Sequence, residues 1–538
     1  MLNNMNDLKT NNTDKISNFI QGKLWKQKIV PYEGKIVFPF FLYVDDLEIN
    51  NPLGSHSKFQ SIAAIYYNFP LHNNNSMLSN IFLASLVKSV DFKMFGNDKC
   101  LTNLVNEINY LEKDGITITT DDGQLKIYFI LGLVLGDNLG VNSILEFSKS
   151  FSAKFFCRLC KAHKELTKVM SIENSSLLRT VDNYEIDTAS LNFKESDIMH
   201  DIFEGVCHYN MCHILKYLTI TVQLFTLDKL NNRKDIFNYG SLEAGNISPP
   251  ILSTHIDSFR LKMSAREMWT FVHFFSLMVG DLVPEDDEVW LFYLNFLKII
   301  DILLSYSFSE SKISLLTDLI KQHHENYIYL FNDTLKPKHH LMVHYPKIIK
   351  ESGPLRHFWC FRFEGKHKEF KTYARVTSSR RNVTLTLAKK FQIRFAGYIM
   401  NLNKPDIIAC EKHILFNSLS FEKEILIKTG MNPADYKIYR EVQFNGISYK
   451  YNLYLSKHLN GYLFKIEAIV VVKNINVLIL AREILLNNYN PHYAAYEVPK
   501  NINIQEFSIH NINDFRGPPV NTTNISSGKV FIRLKEYF

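Results

Sequence analysis

A run of short apolar segments between residues 35 and 137 constrains the fold of this chain most strongly. Three β-rich runs, at 35–44, 59–69 and 79–90, are separated by turn-forming residues. An amphipathic segment at 100–115 follows, with apolar side chains at helical spacing and a glycine at its end. The continuous apolar run at 126–137 is typical of a central strand covered on both faces. The order β-β-β-α-β predicts an α/β sheet whose first and fourth strands lie side by side.

In the rest of the chain the predicted secondary structure changes twice, first to helices and then to strands. Three long apolar segments at helical spacing, 264–280, 289–307 and 311–331, predict buried helices. After residue 430, alternating segments and two Asn-Gly hairpin signals, Asn445-Gly446 and Asn460-Gly461, predict strands. The predicted organisation is a disordered polar tail (1–34), the first part of the α/β core (35–164), an all-α insertion (165–335), a segment that completes the core (336–429) and a small separate β-rich domain (430–538).

Composition excludes several classes of protein. With 46% hydrophobic and 13% aromatic residues, the 538-residue chain is not disordered as a whole. The longest apolar stretch, Ile127–Gly136, is about half of a membrane span, and the polar N-terminus lacks the apolar region of a secretory signal. Seven cysteines with one C-x-x-C pair indicate a reducing compartment. We expect an intracellular protein without a membrane anchor, and its net charge of +7 permits a polyanionic partner without requiring one.

Acidic residues stand where the first and fourth predicted strands end. Asp45 and Asp46 close the first strand, and Asp137 closes the strand after the helix. Neighbouring carboxylates repel each other, and a divalent cation with oxygen ligands is the usual reason to bring them together. Aspartates that merely begin turns remain the alternative. Glu364 lies on a later predicted helix among basic residues, which suits either a surface ion-pair helix or a phosphodiester substrate.

One cysteine pair has metal-ligand spacing. Cys157 and Cys160 form the C-x-x-C, and His340 and His344 lie one helical turn apart as the second half of a zinc site, with His339 as the alternate. His163 and His200 are the other competing ligands. Redox use of the two cysteines, or two inert buried thiols, are the alternatives.

Five stretches in order resemble transposases of the CACTA (En/Spm-like) DNA transposons, most closely the animal representatives. They read YVDDLEINNPLGSH, LGLVLGDNLGVNSILEF, FFCRLCKAHK, SDIMHDIFEGVCHYNMCHIL and KPKHHLMVHYPKIIKESGPLRHFWCFRFEGKHKEFK. Together they cover roughly residues 40–400, and the β-rich end also resembles the C-terminal domain of that family.

The resemblance implies a ribonuclease-H-like mixed sheet with a D-D-E triad that a helical insertion interrupts. The implied catalytic and Mg²⁺ (or Mn²⁺) ligands are Asp45, with Asp46 as its alternate, Asp137 and Glu364. The implied structural zinc site is similar to that of the Transib-like recombinases and comprises Cys157, Cys160, His340 and His344. Asp197 and His200 match a family signature, and we interpret them as positioning the first helix of the insertion rather than as catalytic.

The implied activity is two-metal cleavage and strand transfer on double-stranded DNA, at transposon ends and target, in the nucleus. A homo-oligomer is compatible with this activity. The residues expected to contact the DNA backbone are Lys366, Lys368, Lys371, Arg375, Arg380 and Arg381. Only about 45 residues precede Asp45, whereas such transposases usually carry an N-terminal DNA-recognition segment, so a truncated or host-adopted copy is expected. The competing classes are an inactive, transposon-derived DNA- or chromatin-binding protein and a helical scaffold whose β domain binds protein ligands.

Overall fold

Ile36–Glu48, thirteen residues with mostly buried side chains, forms the central strand of the structure, which is a computed structural model. In this region the structure describes the chain up to residue 49. The structure describes residues 1–10, 14–49, 61–71, 77–121, 123–179, 196–240, 242–377, 381–400, 407–409, 418–457, 462–473, 476–485, 488–498, 506–525 and 528–534. The hairpin signal at Asn460-Gly461 lies outside these residues.

Five strands form a mixed sheet around this segment. They are β1 (Ile36–Glu48), β2 (Ser61–Asn68), β3 (Phe82–Lys88), β4 (Ile116–Thr120) and β5 (Gly123–Leu135). Their order is β3-β2-β1-β5-β4, with β1 and β5 parallel and the other pairs antiparallel. The α/β class is therefore confirmed, and the first and last of the predicted strands are neighbours.

Helices cover both faces of this sheet. Phe40, Leu42 and Val44 of β1 pack towards the helix Ser89–Lys113. Tyr43 points to the opposite face, where its ring stacks on Phe363 of the helix Phe361–Arg375 at a centroid distance of 4.4 Å. Because successive side chains of a strand alternate between faces, adjacent residues at the end of β1 lie on different sides of the sheet.

The sheet departs from the prediction in two places. The helix predicted at 100–115 begins at Ser89, directly after β3, and its regular geometry breaks at Gly96, where φ is 78°. The unpredicted strand β4 forms a hairpin with β5. Its five residues, Ile116–Thr120, are all β-branched, a composition that favours extended backbone even in a strand this short.

The prediction that residues 1–34 form a disordered tail is wrong for the part that the structure describes. Leu2–Thr10 and Lys23–Lys28 are helical. Phe19 and Trp25 are each only 2% exposed. The prediction relied on the asparagine-rich composition of the segment and gave too little weight to these apolar residues. Their burial against the core fixes the segment there.

The chain divides into two compact units that differ from the predicted domains. One comprises Met1–Asn210 and Lys298–Ile399, and the other comprises Met211–Leu297 and Met400–Phe538. The predicted insertion, 165–335, is therefore split between the two units, and its central part belongs with the C-terminal region. No helix in the described residues is both long and apolar enough to span a membrane.

The first unit is otherwise mainly helical. Lys15–Ile16 and Phe308–Ser309 form a two-stranded sheet. The first unit has one short π-helical stretch, Met199–Val206. Its further α-helices are Asn138–Ile144, Lys164–Thr167, Glu310–Phe331, Pro337–Met342, Tyr345–Ser352 and Val383–Ile399. The helices Cys207–Lys216 and Glu288–Leu303 each have residues assigned to both units.

The second unit combines helices and strands, so the β-rich end is not a separate domain. Trp290 Nε1 donates to the His492 carbonyl at 3.2 Å, and Arg533 Nε donates to the His273 carbonyl at 2.8 Å. Its helices are Leu227–Ile236, Ser253–Asp257, Ala265–Val279 and Ser418–Thr429. Its strands are Ile407–Ala409, Tyr436–Tyr439, Glu441–Phe444, Ile447–Lys450, Tyr454–Ser456, Tyr462–Val472, Asn476–Leu485, Tyr489–Asn490, Ala495–Glu497, Phe507–Asn511, Arg516–Val520, Thr522–Asn524 and Val530–Ile532.

Candidate active site and metal centre

The ends of β1 and β5 bring two predicted acids side by side. Tyr43 is in register with Leu135, and two more residues along each chain lead to Asp45 and Asp137. Neighbouring strands lie about 4.8 Å apart, so the two aspartates begin from adjacent backbone positions. Gly136 precedes the second aspartate, and a Cβ there would lie 2.6 Å from a backbone oxygen of β1, so only glycine permits this approach.

Asp45 and Asp46 face opposite sides of the sheet. Tyr43 donates a hydrogen bond to Asp45 Oδ2 at 3.0 Å. Burial, together with the negative charge of Asp137, raises the pKa of Asp45 to about 6. Asp46 is exposed and accepts a hydrogen bond from Ser89 on the other face. The first strand therefore presents Asp45, and not its alternate, to the side that carries the helix Phe361–Arg375.

Glu364 lies in the first turn of that helix and belongs to the same cluster of charges. Burial raises its pKa to about 7; the charges of Asp45 and Asp197 act in the same direction, and His200 opposes them. The Glu364 side chain remains 34% exposed. The three predicted acids, Asp45, Asp137 and Glu364, thus form what we call the carboxylate site.

The ligand atoms of the carboxylate site converge less closely than those of a preformed metal centre. Within the described residues, two groups of three or more potential ligands have their ligand atoms within 4.8 Å of one another, and the three acids are not such a group. Their oxygen-only donor set suits Mg²⁺ or Mn²⁺. Burial is the main cause of the raised pKa values of Asp45 and Glu364, and a bound cation would favour the charged form of both carboxylates. The residue types present therefore fit a divalent cation.

A histidine that sequence reasoning placed outside the site reaches it. The buried Asp197 carboxylate accepts from the backbone NH groups of Met199 and Cys360, each at 3.1 Å, and lies 2.5 Å from His200 Nδ1. His200 Nε2 lies 3.3 Å from Glu364 Oε1. Burial lowers the pKa of His200, but the hydrogen bond and charge of Asp197 outweigh it and raise that pKa to about 10. The imidazole is therefore held as a cation beside Glu364.

The sequence could indicate the contact between Asp197 and His200, but not the contact between His200 and Glu364. Asp197 and His200 are three residues apart, which places both side chains on one helical face. They do sit at the start of the π-helical stretch Met199–Val206, where they also contact the segment that carries Glu364. Nothing in the spacing of the sequence connects His200 to Glu364, because that contact depends on how two distant helices are rotated.

The four predicted zinc ligands converge. Cys157, Cys160, His340 and His344 are all buried, and their ligand atoms lie within 4.8 Å of one another. Cys157 Sγ is 3.7 Å from His344 Nε2, and Cys160 Sγ is 3.3 Å from His340 Nε2. Bond lengths of about 2.3 Å to sulfur and 2.0 Å to nitrogen give edges of this size in a tetrahedral shell. We call these residues the metal cluster, and they can hold a structural metal ion.

The side chains around the metal cluster support this assignment. A hydrogen bond with Cys157 lowers the pKa of Cys160, which favours the thiolate that binds a metal. Glu173 Oε1 lies 2.5 Å from His344 Nδ1, the nitrogen that faces away from the cluster. Such a carboxylate fixes the ring orientation of a metal-binding histidine. Sequence reasoning missed Glu173, since no spacing relates it to His344.

The competing histidines have other partners. His339 Nε2 lies 3.2 Å from Asn210 Oδ1, and His339 Nδ1 accepts from the backbone NH of Lys336. His163 Nδ1 accepts from the backbone NH of Glu165 at the start of a short helix. His200 is bound to Asp197, as described above. The named quartet is therefore the set that converges.

The predicted DNA-contacting residues divide into two kinds. Lys366 is buried, donates to the Leu78 carbonyl at 2.9 Å and pairs with Glu369, so its ammonium group stabilises the fold. Arg380 lies outside the described residues. The exposed members are Lys368, Lys371, Arg375 and Arg381. Lys368 and Lys371 follow Glu364 at intervals of four and three residues and so share its helical face.

No known protein-family model matches the chain, and no curated protein matches it.

Proposed function

We propose that this protein is a metal-dependent DNA-cleaving and strand-transferring enzyme of the transposase type, with a ribonuclease-H-like core. The observation that carries the proposal is the carboxylate site. Asp45 and Asp137 start from the ends of adjacent parallel strands, and Glu364 faces them from a helix on the same side of the sheet. Three acids assembled from such distant positions favour a catalytic role over three independent turn-forming residues.

The sheet supports the ribonuclease-H-like interpretation. An antiparallel meander, β1-β2-β3, is followed by a helix and by a strand, β5, that returns parallel to β1. The acids lie where the central parallel strands end. Ligands of open α/β sheets commonly bind at such strand ends, where the chain can turn without disturbing the hydrogen-bonded ladder.

In this proposal, Asp45, Asp137 and Glu364 would hold Mg²⁺ or Mn²⁺, which would activate water or a DNA 3′-hydroxyl for attack on a phosphodiester. Tyr43 orients the Asp45 carboxylate through its hydrogen bond. His200 orients Glu364 and balances part of the negative charge at the site. The protein groups thereby define where the reacting phosphate sits.

The remaining features have supporting roles in this proposal. Lys368 and Lys371 would attract the DNA backbone beside Glu364, independently of base sequence. Zinc is the proposed ion of the metal cluster, since two thiolates and two imidazoles leave no open position for chemistry. A DNA substrate implies a nuclear protein, and a second copy of the chain would be needed wherever two DNA ends are joined together.

Nicking of duplex DNA by the purified protein tests the proposal. We expect Mg²⁺- or Mn²⁺-dependent nicks that Glu364→Gln removes while zinc content and melting temperature stay close to those of the unsubstituted protein. Nicking that persists in Glu364→Gln would trace the activity to a contaminant or another site. Equal, metal-independent behaviour of both proteins would contradict the catalytic assignment.

The exposed lysines favour a second candidate, a DNA-binding protein without cleavage activity. Lys368 and Lys371 provide phosphate contacts whether or not the carboxylates bind a cation. Salt-sensitive DNA binding without any nicking would support this candidate. An affinity that does not change with ionic strength would exclude both and favour a protein-binding scaffold.

A further inference from the structure

A series of hydrogen-bonded polar side chains connects the metal cluster with the end of β5. Arg158 Nη1 donates to Asn138 Oδ1 at 2.5 Å, and Asn138 Nδ2 donates to Asp201 Oδ1 at 2.8 Å. On the other side, the Tyr345 hydroxyl donates to Asp201 Oδ2 at 3.5 Å. We call Arg158, Asn138, Asp201 and Tyr345 the polar bridge.

Each member of the polar bridge is a sequence neighbour of a residue already discussed. Arg158 lies between the two cysteine ligands, and Tyr345 follows His344, so both ends of the bridge adjoin the metal cluster. Asn138 directly follows Asp137, and Asp201 directly follows His200. The bridge therefore joins the backbone of the metal cluster to the backbone that carries Asp137 of the carboxylate site and to the backbone that carries His200, the neighbour of Glu364.

Burial makes the arrangement of the bridge specific. Asp201 and Tyr345 are 0% exposed, and Arg158 is 4% exposed. A buried carboxylate or guanidinium group that loses its partner is strongly destabilised. The Asn138 amide has one favourable orientation, because a flip would turn its oxygen to the carboxylate and its NH₂ group to the guanidinium. The hydrogen bonds of the four side chains therefore favour the arrangement that the structure shows.

We propose that the polar bridge positions Asp137 and couples that position to occupancy of the metal cluster. Asn138 is the first residue of the helix Asn138–Ile144, and the Asp137 carboxylate caps this helix by accepting from the Gly140 NH at 2.5 Å. Anchoring Asn138 thus anchors the cap. A metal ion bound by Cys157, Cys160, His340 and His344 fixes Arg158 and Tyr345 from both sides, and the bridge transmits this restraint.

The consequence is that the metal of the cluster acts on the carboxylate site without touching it. Displacing a catalytic group by about 1 Å costs on the order of 100-fold in rate. The bridge residues are positioning residues, since they act through Asp137. This inference rests on the proposed function for its catalytic meaning, whereas the physical coupling between metal cluster and helix does not depend on it.

Hydrogen exchange of the backbone measures that coupling directly. In zinc-loaded Arg158→Met, we expect the segment 136–144 to exchange about tenfold faster than in the unsubstituted protein, while zinc stays bound. Arg179→Met is the matched control. Arg179 Nε donates to the Cys157 carbonyl at 3.1 Å and so adjoins the same cluster outside the polar bridge. Equal exchange at 136–144 in the two variants would overturn the proposal.

Chelation of the unsubstituted protein gives a second test, which serves if Arg158→Met fails to fold. Removing zinc should accelerate exchange at 136–144, whereas the strand Tyr462–Val472 of the other unit should stay protected. A segment 136–144 that exchanges as slowly without zinc as with it would refute the coupling. If the coupling is found but no divalent cation binds the carboxylate site and no DNA is nicked, the proposed function fails and the bridge stands.

Where nicking is active, steady-state kinetics separate positioning from substrate binding. Arg158→Met should lower kcat by about 10- to 100-fold and leave KM for DNA within about twofold, since the bridge does not contact substrate. A rise in KM with unchanged kcat would contradict a positioning role.

Discussion

The metal cluster and the carboxylate site belong to the same unit and are built in opposite ways. The four cluster residues are all buried, and their ligand atoms lie within 4.8 Å of one another. The ligand atoms of the three acids in the carboxylate site do not lie this close together, and the Glu364 side chain is 34% exposed. A complete shell stabilises a fold, whereas an incomplete one leaves room for substrate. The comparison therefore separates a structural centre from a candidate catalytic one.

The two centres also differ in their protonation. Hydrogen bonding with Cys157 lowers the pKa of Cys160, which favours the metal-binding thiolate form of this one ligand. Burial raises the pKa of both Asp45 and Glu364, so the carboxylate site resists holding its full negative charge. We expect the ion of the cluster to be tightly held and the cation of the carboxylate site to exchange with solution.

The largest expected effect is the loss of the metal cluster. Cys157→Ser with Cys160→Ser removes two thiolates, and a structural zinc ion contributes on the order of 10 kcal/mol in small zinc domains. We expect zinc to be lost, and the unit that contains the cluster to melt at a much lower temperature. Elemental analysis and calorimetry measure the two effects. Cys100→Ser is the control, because Cys100 lies outside the cluster. Full zinc content in the double variant would show that the ion binds elsewhere.

The next effect distinguishes the two faces of β1. Asp45→Asn should lower the rate of DNA nicking by roughly 1,000-fold, because a neutral amide holds a divalent cation far less strongly. Asp46→Asn, one residue further along but on the opposite face, should leave the rate within about threefold. Initial rates under saturating Mg²⁺ measure both. Equal losses in the two variants would mean that the position of the carboxylate along the strand, and not its face, determines activity.

Sequence reasoning succeeded where local spacing carried the geometry. The C-x-x-C pair and the two histidines one turn apart each place two ligands together, so only their mutual pairing had to be inferred. Asp45 and Asp137 were predictable as neighbours, since the strand order alone makes β1 and β5 adjacent. The parallel pairing confirms this part of the fold.

The contacts that were not predicted depend on helix rotation and side-chain reach. His200 meets Glu364, and Glu173 meets His344, across long stretches of chain with no shared spacing. Lys366 was expected to contact DNA with its neighbours, but it is directed inward to the Leu78 carbonyl. Hydrophobic patterning specifies which face of a helix is buried, and it does not specify where a long side chain on the border of that face ends.

The domain boundaries failed for a related reason. The helix Ala265–Val279 was grouped with its sequence neighbours, and the β-rich end was treated as independent. Buried hydrogen bonds join them instead, including one from Arg533 Nε to the carbonyl of His273 in that helix. A helix that is apolar all round needs partners on every side, but its sequence does not identify them.

A smaller effect tests how far the metal cluster depends on its surroundings. Glu173→Gln removes the charge that holds His344 Nδ1, and loss of such a carboxylate typically weakens metal affinity by about 10- to 100-fold. Competition with a chromogenic chelator measures the change in zinc affinity. Glu325→Gln is the control, since Glu325 accepts from Ser171 on the same segment as Glu173. If both variants keep the original zinc affinity, the carboxylate does not contribute to metal binding.

The smallest expected effect concerns the surface beside the carboxylate site. Lys368 and Lys371 are exposed on the helical face of Glu364, and each phosphate contact adds about 0.9 to the slope of log affinity against log salt. Lys368→Ala with Lys371→Ala should therefore flatten that slope by about 2 and weaken binding equally for all DNA sequences. Lys93→Ala with Lys99→Ala removes the same charge from the helix on the opposite face of the sheet. The control should leave the slope nearly unchanged if DNA passes the carboxylate site. Equal slopes in both double variants would mean that net charge alone attracts DNA. The proposal that DNA binds on the side of the sheet that carries Asp45 and Glu364 would then be wrong.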